Sequence, residues 1–91
     1  MAEVIVSLRI MPSSPEENLD ILTDKATAFI TDFKGEVHST KQVDVAFGLK
    51  SINIIFIMDE AIGSTEKLEN QISETEGVNS CEVTDVRRAL G

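Results

Sequence analysis

Cysteine is almost absent from this chain, which contains Cys81 alone among its 91 residues. One cysteine cannot form an internal disulfide, and it cannot supply a Cys-based zinc site or a Cys-x-x-Cys metal-carrier motif. We therefore expect Cys81 to be a buried apolar side chain and the domain to fold without a metal. Trp and Tyr are missing, and Phe occurs four times, so the core must consist mainly of Ile, Val and Leu.

Basic residues are half as common as acidic ones. Eight Lys and Arg accompany sixteen Asp and Glu, which gives a formal net charge of −8. Such a surface repels phosphate groups, so we expect neither a nucleic acid nor an anionic membrane as a direct partner. A partner with a basic face is favoured, and its association rate should depend on salt.

Long apolar runs are missing as well. Residues 4–10 are interrupted by Arg9, and the first three residues lack the basic segment of a signal peptide. No run approaches the roughly 20 apolar residues of a membrane-spanning helix. We expect a cytoplasmic protein that forms a single domain over residues 1–91, because this length suits one two-layer core.

Motifs for catalysis and cofactor binding are absent from the sequence. Neither glycine-rich phosphate loop is present, and the acidic pairs lack the spacing of a calcium loop. The single histidine, His38, falls on the polar side of a predicted edge strand, where we expect solvent exposure rather than catalysis. The segment after the first strand, 11–15, has no arginine for an acylphosphatase-like anion site. We therefore predict no enzymatic activity, no cofactor and no metal.

Apolar spacing predicts six secondary-structure elements. Alternation with a period of two indicates strands, and apolar residues three or four apart indicate helices. The predicted strands cover residues 4–10, 36–45, 49–59 and 78–86, with a bulge or strand end near Asp85. A helix of about five turns should begin at a Ser14-x-x-Glu17 capping box and end at Gly35 as its C′ residue. A shorter helix should begin at Gly63 and Ser64 and end at Glu76 and Gly77.

The order β-α-β-β-α-β predicts the ferredoxin-like fold. Two split βαβ units with right-handed crossovers form a four-stranded antiparallel sheet of order 4-1-3-2, an α+β sandwich with both helices on one face. The second strand is weakly apolar, as expected of an edge strand. The third carries Ile52, Ile54, Phe56 and Met58 on one face and Ile55 and Ile57 on the other.

The hairpin between the second and third strands holds an aromatic residue where a polar turn residue is expected. Gly48 can adopt a positive φ, so the chain can reverse there. Phe47 either packs back onto the end of the sheet or is displayed to a partner, and composition alone leaves both readings open. Arg87 and Arg88 form a local reversal of charge that is either a solvated chain end or part of the same partner surface.

The segment Phe47-Gly48-Leu49-Lys50, taken with the order of elements, resembles the nucleotide-exchange domain of translation elongation factor 1-beta. Eukaryotic members read Gly-Phe-Gly-Ile-Lys-Lys or Gly-Tyr-Gly-Ile-Lys-Lys there, whereas this chain has Ala46 at the first glycine and Ser51 at the second lysine. Asp59-Glu60 and Thr84-Asp85-Val86 also match stretches of the family. The resemblance covers the whole chain and is to the short archaeal version.

The resemblance implies a guanine-nucleotide exchange factor that binds the GTPase elongation factor 1-alpha and promotes GDP release and GTP reloading. It also implies that Phe47 is an aromatic anchor near the nucleotide pocket. A terminal lysine acts at the magnesium site in eukaryotic relatives, and Arg87 or Arg88 is the candidate substitute here. We accordingly place partner binding at the hairpin and at the carboxyl end, on Phe47, Gly48, Lys50, Arg87, Arg88 and Leu90.

A second reading is a small regulatory or interaction module of the same fold. It would bind a metabolite or dimerise through the open face of the sheet, where Ile55 and Ile57 are predicted to lie. An exchange factor does not need to be a dimer, so we expect a monomer when the chain is free.

Overall fold

The computed structural model describes residues 2–89, which form one antiparallel sheet and two helices. In chain order, the elements are β1 (Glu3–Pro12), α1 (Leu19–Asp32), β2 (Glu36–Asp44), β3 (Lys50–Asp59), a 3-10 helix (Glu60–Ile62), α2 (Glu66–Ser73) and β4 (Val78–Arg88). The strands lie in the order β2-β3-β1-β4, which is the predicted order read from the other edge. The ferredoxin-like α+β fold is confirmed.

The core lies between the helices and one face of the sheet. Alternate residues of β1 and β3 point toward the helices, and the helices contribute side chains spaced three or four residues apart. All of these side chains are less than a tenth exposed: Val6, Leu8, Ile10, Leu22, Ala26, Ile30, Ile52, Ile54, Phe56, Met58, Leu68, Ile72 and Val78. The central strands β1 and β3 supply seven of these thirteen core residues, which explains their strong alternation in the sequence.

Helix α1 begins four residues later than the sequence predicts. Asn18 is the N-cap, and its Oδ1 accepts hydrogen bonds from the backbone N–H groups of Asp20 (3.0 Å) and Ile21 (3.1 Å). Ser14 instead closes a separate turn, in which its Oγ accepts from the backbone N–H of Glu16. The Ser14–Glu17 capping box was therefore wrong, and α1 has 14 residues, about four turns rather than five.

The end of α1 also differs from the prediction. The left-handed C′ position belongs to Lys34, with φ 73°, and not to Gly35. Backbone N–H groups of Lys34 and Gly35 donate to the carbonyls of Thr31 (3.0 Å) and Ile30 (2.9 Å), which is the Schellman pattern. Gly35 is required for space, because a Cβ there would lie 2.8 Å from Ile30 Cγ2 and 3.0 Å from Phe56 Cδ2.

Helix α2 starts after a short 3-10 helix. Gly63, with φ 86°, ends the 3-10 helix rather than opening α2, whose N-cap is Thr65. The helix ends at Ser73, before the predicted stop at Glu76 and Gly77. Glu69 fixes α2 against the edge of β4, because its Oε1 accepts from the backbone N–H of Val83 (3.2 Å) and its Oε2 from the Thr65 hydroxyl (3.0 Å).

A bulge interrupts β4 where the apolar spacing slips. Asp85 pairs with Ser7 and Val83 pairs with Leu8, so Thr84 is the extra residue. This confirms the irregularity predicted near Asp85. The bulge moves Val86 and Arg88 to the face that carries the helices and leaves Asp85 and Arg87 on the open face, because paired residues of neighbouring strands share a face.

Candidate partner-binding site

The hairpin between β2 and β3 is built around Phe47 and Gly48. The backbone N–H of Leu49 donates to the carbonyl of Ala46 (3.0 Å), and the two residues between them have φ 55° and 77°. Two central residues of positive φ are the signature of a type I′ turn, in which Asn or Gly is preferred at both positions. Gly48 therefore meets its predicted role, whereas Phe47 occupies a position that disfavours a bulky side chain.

Phe47 projects into solvent. Its side chain is 97% exposed, so the alternative of a core residue that caps the sheet is wrong. Val43 on β2 and Val45 in the hairpin are also exposed, by 43% and 54%. An aromatic ring in this setting has neither the burial nor the backbone conformation that normally favours it, and such outliers often mark functional sites.

Lys50 begins β3 at the base of this hairpin. Its Nζ lies 4.0 Å from Asp44 Oδ1, and its side chain is 52% exposed. That distance is the outer limit of an ion pair, and exposed pairs contribute only about 0–1 kcal/mol. The ammonium group of Lys50 therefore stays available to a partner.

A cavity that the sequence did not reveal adjoins the hairpin. It has a volume of about 230 Å³ and lies between the β1–α1 loop and the start of β3. We call it the hairpin cavity, and it is lined by Pro12, Ser14, Pro15, Leu19, Gln42, Gly48 and Lys50. The backbone N–H of Ser13 donates to the carbonyl of Gly77 (2.8 Å), which fixes the loop over this end of the sheet. Such a cavity depends on contacts between distant segments, which apolar spacing does not encode.

Arg87 and Arg88 lie on opposite faces of the sheet although they are adjacent in sequence. Arg87 Nε donates to Asp85 Oδ2 (2.7 Å) on the open face. Arg88 Nη2 donates to both carboxylate oxygens of Glu60, at 2.8 and 3.0 Å, on the other face. Both arginines are therefore exposed, ion-paired residues of β4 that face opposite ways, and they are not interchangeable.

The sheet separates the two groups of predicted site residues. Lys50 pairs with Asp44 at the hairpin end, whereas Arg88 pairs with Val4, which pairs with Met58 near the other end of β3. The structure thus brings Phe47, Gly48 and Lys50 together and places Arg87 and Arg88 elsewhere. Leu90, the remaining predicted site residue, lies outside the described residues.

The open face of the sheet carries a small apolar strip. Ile5, Ile55 and Ile57 lie there and are half-buried by their neighbours. The ion pairs Arg9–Glu82 and Arg87–Asp85 flank the strip. His38 is exposed on β2, as the sequence predicted.

Cys81 packs against the edge of the core on β4 and is half-buried. Burial raises the pKa of its thiol from 9.0 to about 12, and the nearby carboxylates of Glu69 and Glu82 add to the rise. A thiol of this kind is a poor nucleophile near neutral pH.

Within residues 2–89, no cluster of three or more His, Cys, Asp or Glu side chains is placed to hold a metal ion. Nor does this part of the chain contain a helix long and apolar enough to cross a membrane.

Comparison with known families identifies the family of this chain. The model of the EF-1 guanine nucleotide exchange domain matches residues 5–89. The chain belongs to this family. The match covers the hairpin, the arginine pair and nearly all of the described residues, so the resemblance predicted from the sequence is confirmed.

Archaeal relatives agree along their whole length. The elongation factor 1-beta of Methanothermobacter thermautotrophicus is 36% identical over 90 residues, which cover 99% of this chain and 100% of that protein. The elongation factor 1-beta of Hyperthermus butylicus is 39% identical over 90 residues, covering 97% of this chain and 96% of that protein. The chain is therefore similar over nearly its whole length to archaeal elongation factor 1-beta proteins.

Solved structures share the fold at low identity. The ACT domain of the GTP pyrophosphokinase of Chlorobium tepidum is 16% identical with a TM-score of 0.61, covering 89% of this chain and 97% of that chain. The designed protein Foldit4 is 21% identical with a TM-score of 0.63, and 98% of each chain is covered. At these identities the likeness concerns the fold alone.

Proposed function

We propose that this chain binds elongation factor 1-alpha and accelerates the release of its GDP so that GTP can enter during translation elongation. Membership of the exchange-domain family and the names of the archaeal relatives support this function. The structural observation that carries the proposal is Phe47, which is 97% exposed at the tip of the hairpin and has a positive φ. An aromatic side chain held away from its own core is suited to a pocket on another protein.

The exchange mechanism is a linkage between two binding equilibria. A partner that binds the nucleotide-free GTPase more tightly than the GDP-bound form must weaken GDP binding by the same factor. A coupling of about 1.4 kcal/mol corresponds to each tenfold change in affinity. The chain makes and breaks no bond in this process, so we assign it no enzymatic reaction, and we place its work in the cytoplasm with its partner.

Two separated regions of the chain contact the GTPase in this proposal. The hairpin supplies an aromatic anchor in Phe47, a close backbone approach at Gly48 and a cation in Lys50. The carboxyl-terminal part of β4 supplies Arg87 and Arg88, whose positive charges would compete with magnesium for anionic groups. Arg88 must then exchange its contact with Glu60 for a contact on the partner.

Release of fluorescently labelled GDP from the cognate elongation factor 1-alpha tests the proposal directly. The chain in catalytic amounts should raise the release rate at least tenfold over the spontaneous rate. A chain with Phe47→Ala should lose most of this acceleration and remain folded by circular dichroism. An unchanged release rate with the unaltered chain would exclude the exchange function.

The alternative of a metabolite-binding or dimerising module depends on the open face of the sheet. Ile5, Ile55 and Ile57 on that face favour it, yet all three are half-buried within the monomer, unlike Phe47. Half-buried side chains offer only part of their surface to a partner, whereas a stable interface usually buries about 800 Å² on each partner. We propose that the free chain is a monomer. Sedimentation equilibrium at micromolar concentration should give the monomer mass of 10.0 kDa.

A further inference from the structure

The hairpin cavity differs in charge from the rest of this acidic surface. Among residues 2–89, Lys50 is the only charged residue that lines it, and none of these residues contributes a carboxylate. Three other surface cavities among the described residues each include at least one carboxylate, namely Asp32 and Glu74, Glu66 and Glu74, or Asp20. In a chain with sixteen acids and eight bases, a cavity with one lysine and no acid is a local exception that selects for a negative group.

The walls of the cavity combine apolar and polar surface. Pro12 is buried, Leu19 is half-buried and Pro15 is exposed, so one side offers rigid apolar contact. On the polar side, Gln42 Nε2 donates a 3.3 Å hydrogen bond to Asp20 Oδ1, and Lys50 Nζ lies 4.0 Å from Asp44 Oδ1. An occupant with both an aliphatic part and an anionic end matches these walls.

The size of the cavity limits what it can hold. Its 230 Å³ is below the range of about 300–1,000 Å³ typical of pockets for small-molecule ligands and cofactors. The volume suits one side chain from a docked protein. The cavity also opens beside Gly48, so a surface that contacts Phe47 would cover it.

We infer that the hairpin cavity receives an acidic side chain of the partner GTPase, with the carboxylate paired to Lys50 and the methylene groups against Leu19 and Pro15. The inference rests on the proposed function, because the occupant belongs to the protein that Phe47 contacts. The overall negative charge of this chain favours a basic face of the GTPase. The pairing of Lys50 with one carboxylate on that face then fixes how the two proteins are positioned.

Matched charge reversals test the inference. Lys50→Glu should weaken binding to nucleotide-free elongation factor 1-alpha at least tenfold, measured by isothermal titration at low salt. Lys25→Glu, an equal charge change on the exposed side of α1, should weaken it less than twofold. Equal losses for the two variants would overturn the inference, since both would then reflect net charge alone.

A second variant fills the cavity without changing charge. Ser14→Leu should weaken binding at least fivefold and reduce the salt dependence of binding, because the carboxylate no longer reaches Lys50. Folding of this variant is checked by thermal melting. Wild-type affinity for Ser14→Leu would overturn the inference.

The exchange rate of the unaltered chain separates the two proposals. If the unaltered chain promotes exchange and the variants bind as well as it does, the inference about the cavity is wrong and the proposed function stands. If the unaltered chain does not promote exchange, both the proposed function and the inference are wrong.

Discussion

Phe47 and Arg88 lie at opposite ends of the same four-stranded sheet. Phe47 caps the hairpin next to Lys50, and Arg88 is in register with Val4 and, across it, with Met58. Met58 lies eight positions after Lys50 on β3, which is about 27 Å along an extended strand. A GTPase that contacts both ends must therefore present two sites at least that far apart.

This separation predicts that the two contacts act independently. Phe47→Ala and Arg88→Ala should each slow GDP release, and the double variant should show the sum of the two free-energy changes to within about 0.5 kcal/mol. Release rates at saturating nucleotide, compared in a double-mutant cycle, measure the coupling. A coupling well above that value would mean that the two residues act at one contact.

The turn position of Phe47 predicts opposite effects on stability and activity. A left-handed conformation costs a residue with a Cβ roughly 1–2 kcal/mol, and Asn tolerates it better than Phe. Phe47→Asn should therefore stabilise the fold and raise the melting temperature by several degrees, since about 1 kcal/mol corresponds to 4–8 °C in a domain of this size. It should also reduce exchange at least tenfold, because the anchor is lost.

Phe47→Ala serves as the control for that variant. Alanine removes the ring and does not relieve the backbone, so exchange should fall to the same extent while the melting temperature stays nearly unchanged. Unfolding of Phe47→Ala, or full exchange by either variant, would contradict the role of Phe47 as a displayed anchor.

The sequence predicts the fold well because strand alternation is a strong signal. Ile52, Ile54, Phe56 and Met58 alternate with polar or half-buried residues, and all four are in the core. The helix ends were less predictable, because several residues compete for each cap. Ser14 and Asn18 are both good N-caps, and the selection of Asn18 depends on how the loop after β1 is fixed to Gly77.

The candidate site was only partly predictable. The hairpin and its positive-φ glycine follow from local sequence, but the exposure of Phe47 could not be decided before the end of the sheet was known. The opposite directions of Arg87 and Arg88 follow from strand alternation, whereas their faces depend on the bulge at Thr84. The hairpin cavity combines β1, α1, β2 and β3, and no local pattern indicates it.

Two adjacent residues at the end of α1 should respond oppositely to small substitutions. Lys34→Gly should stabilise the fold by up to about 1 kcal/mol, because glycine accepts the φ of 73° found there. Gly35→Ala should destabilise it by about 1–3 kcal/mol, because the new Cβ would crowd Ile30 and Phe56. Urea unfolding of both variants measures the two changes. Destabilisation by Lys34→Gly would contradict the left-handed conformation of Lys34.

The raised pKa of Cys81 predicts that the free energy of unfolding falls at alkaline pH. Its pKa rises from 9.0 to about 12 in the folded chain, so the folded state binds this proton more tightly than the unfolded state. The contribution is fully present below pH 9 and is lost as the pH rises from about 9 toward 12. Urea unfolding of the unaltered chain and of Cys81→Ala, compared across this range, isolates the effect. The unaltered chain should lose stability more steeply, and parallel curves would contradict the raised pKa.

Reactivity of the same thiol gives a simpler check. At pH 8 the folded chain should react with iodoacetamide far more slowly than the chain in urea, because the thiolate fraction falls about tenfold for each unit of pKa. Similar rates in the two states would show that burial does not protect Cys81.

The arginine pair predicts a magnesium-dependent contribution to exchange. A guanidinium group stays charged when it is buried at an interface, so it can compete with a magnesium ion for phosphate and carboxylate groups throughout the neutral range. Replacement of both Arg87 and Arg88 by alanine should slow GDP release more at high magnesium than at low magnesium. The melting temperature should change little, because both arginines form exposed ion pairs worth about 0–1 kcal/mol each.

Single replacements and a matched arginine then identify the residue responsible. Arg87 and Arg88 lie on opposite faces, so only one of them can reach a single magnesium site. Only one of the two single replacements should therefore show the magnesium-dependent loss seen in the double variant. Arg9→Ala, which removes a comparable exposed ion pair with Glu82 from the open face, should have no magnesium-dependent effect. A loss that is equal at every magnesium concentration and fades with added salt would indicate general surface charge instead. The arginines would then contribute to encounter with the GTPase and not to displacement of its metal ion.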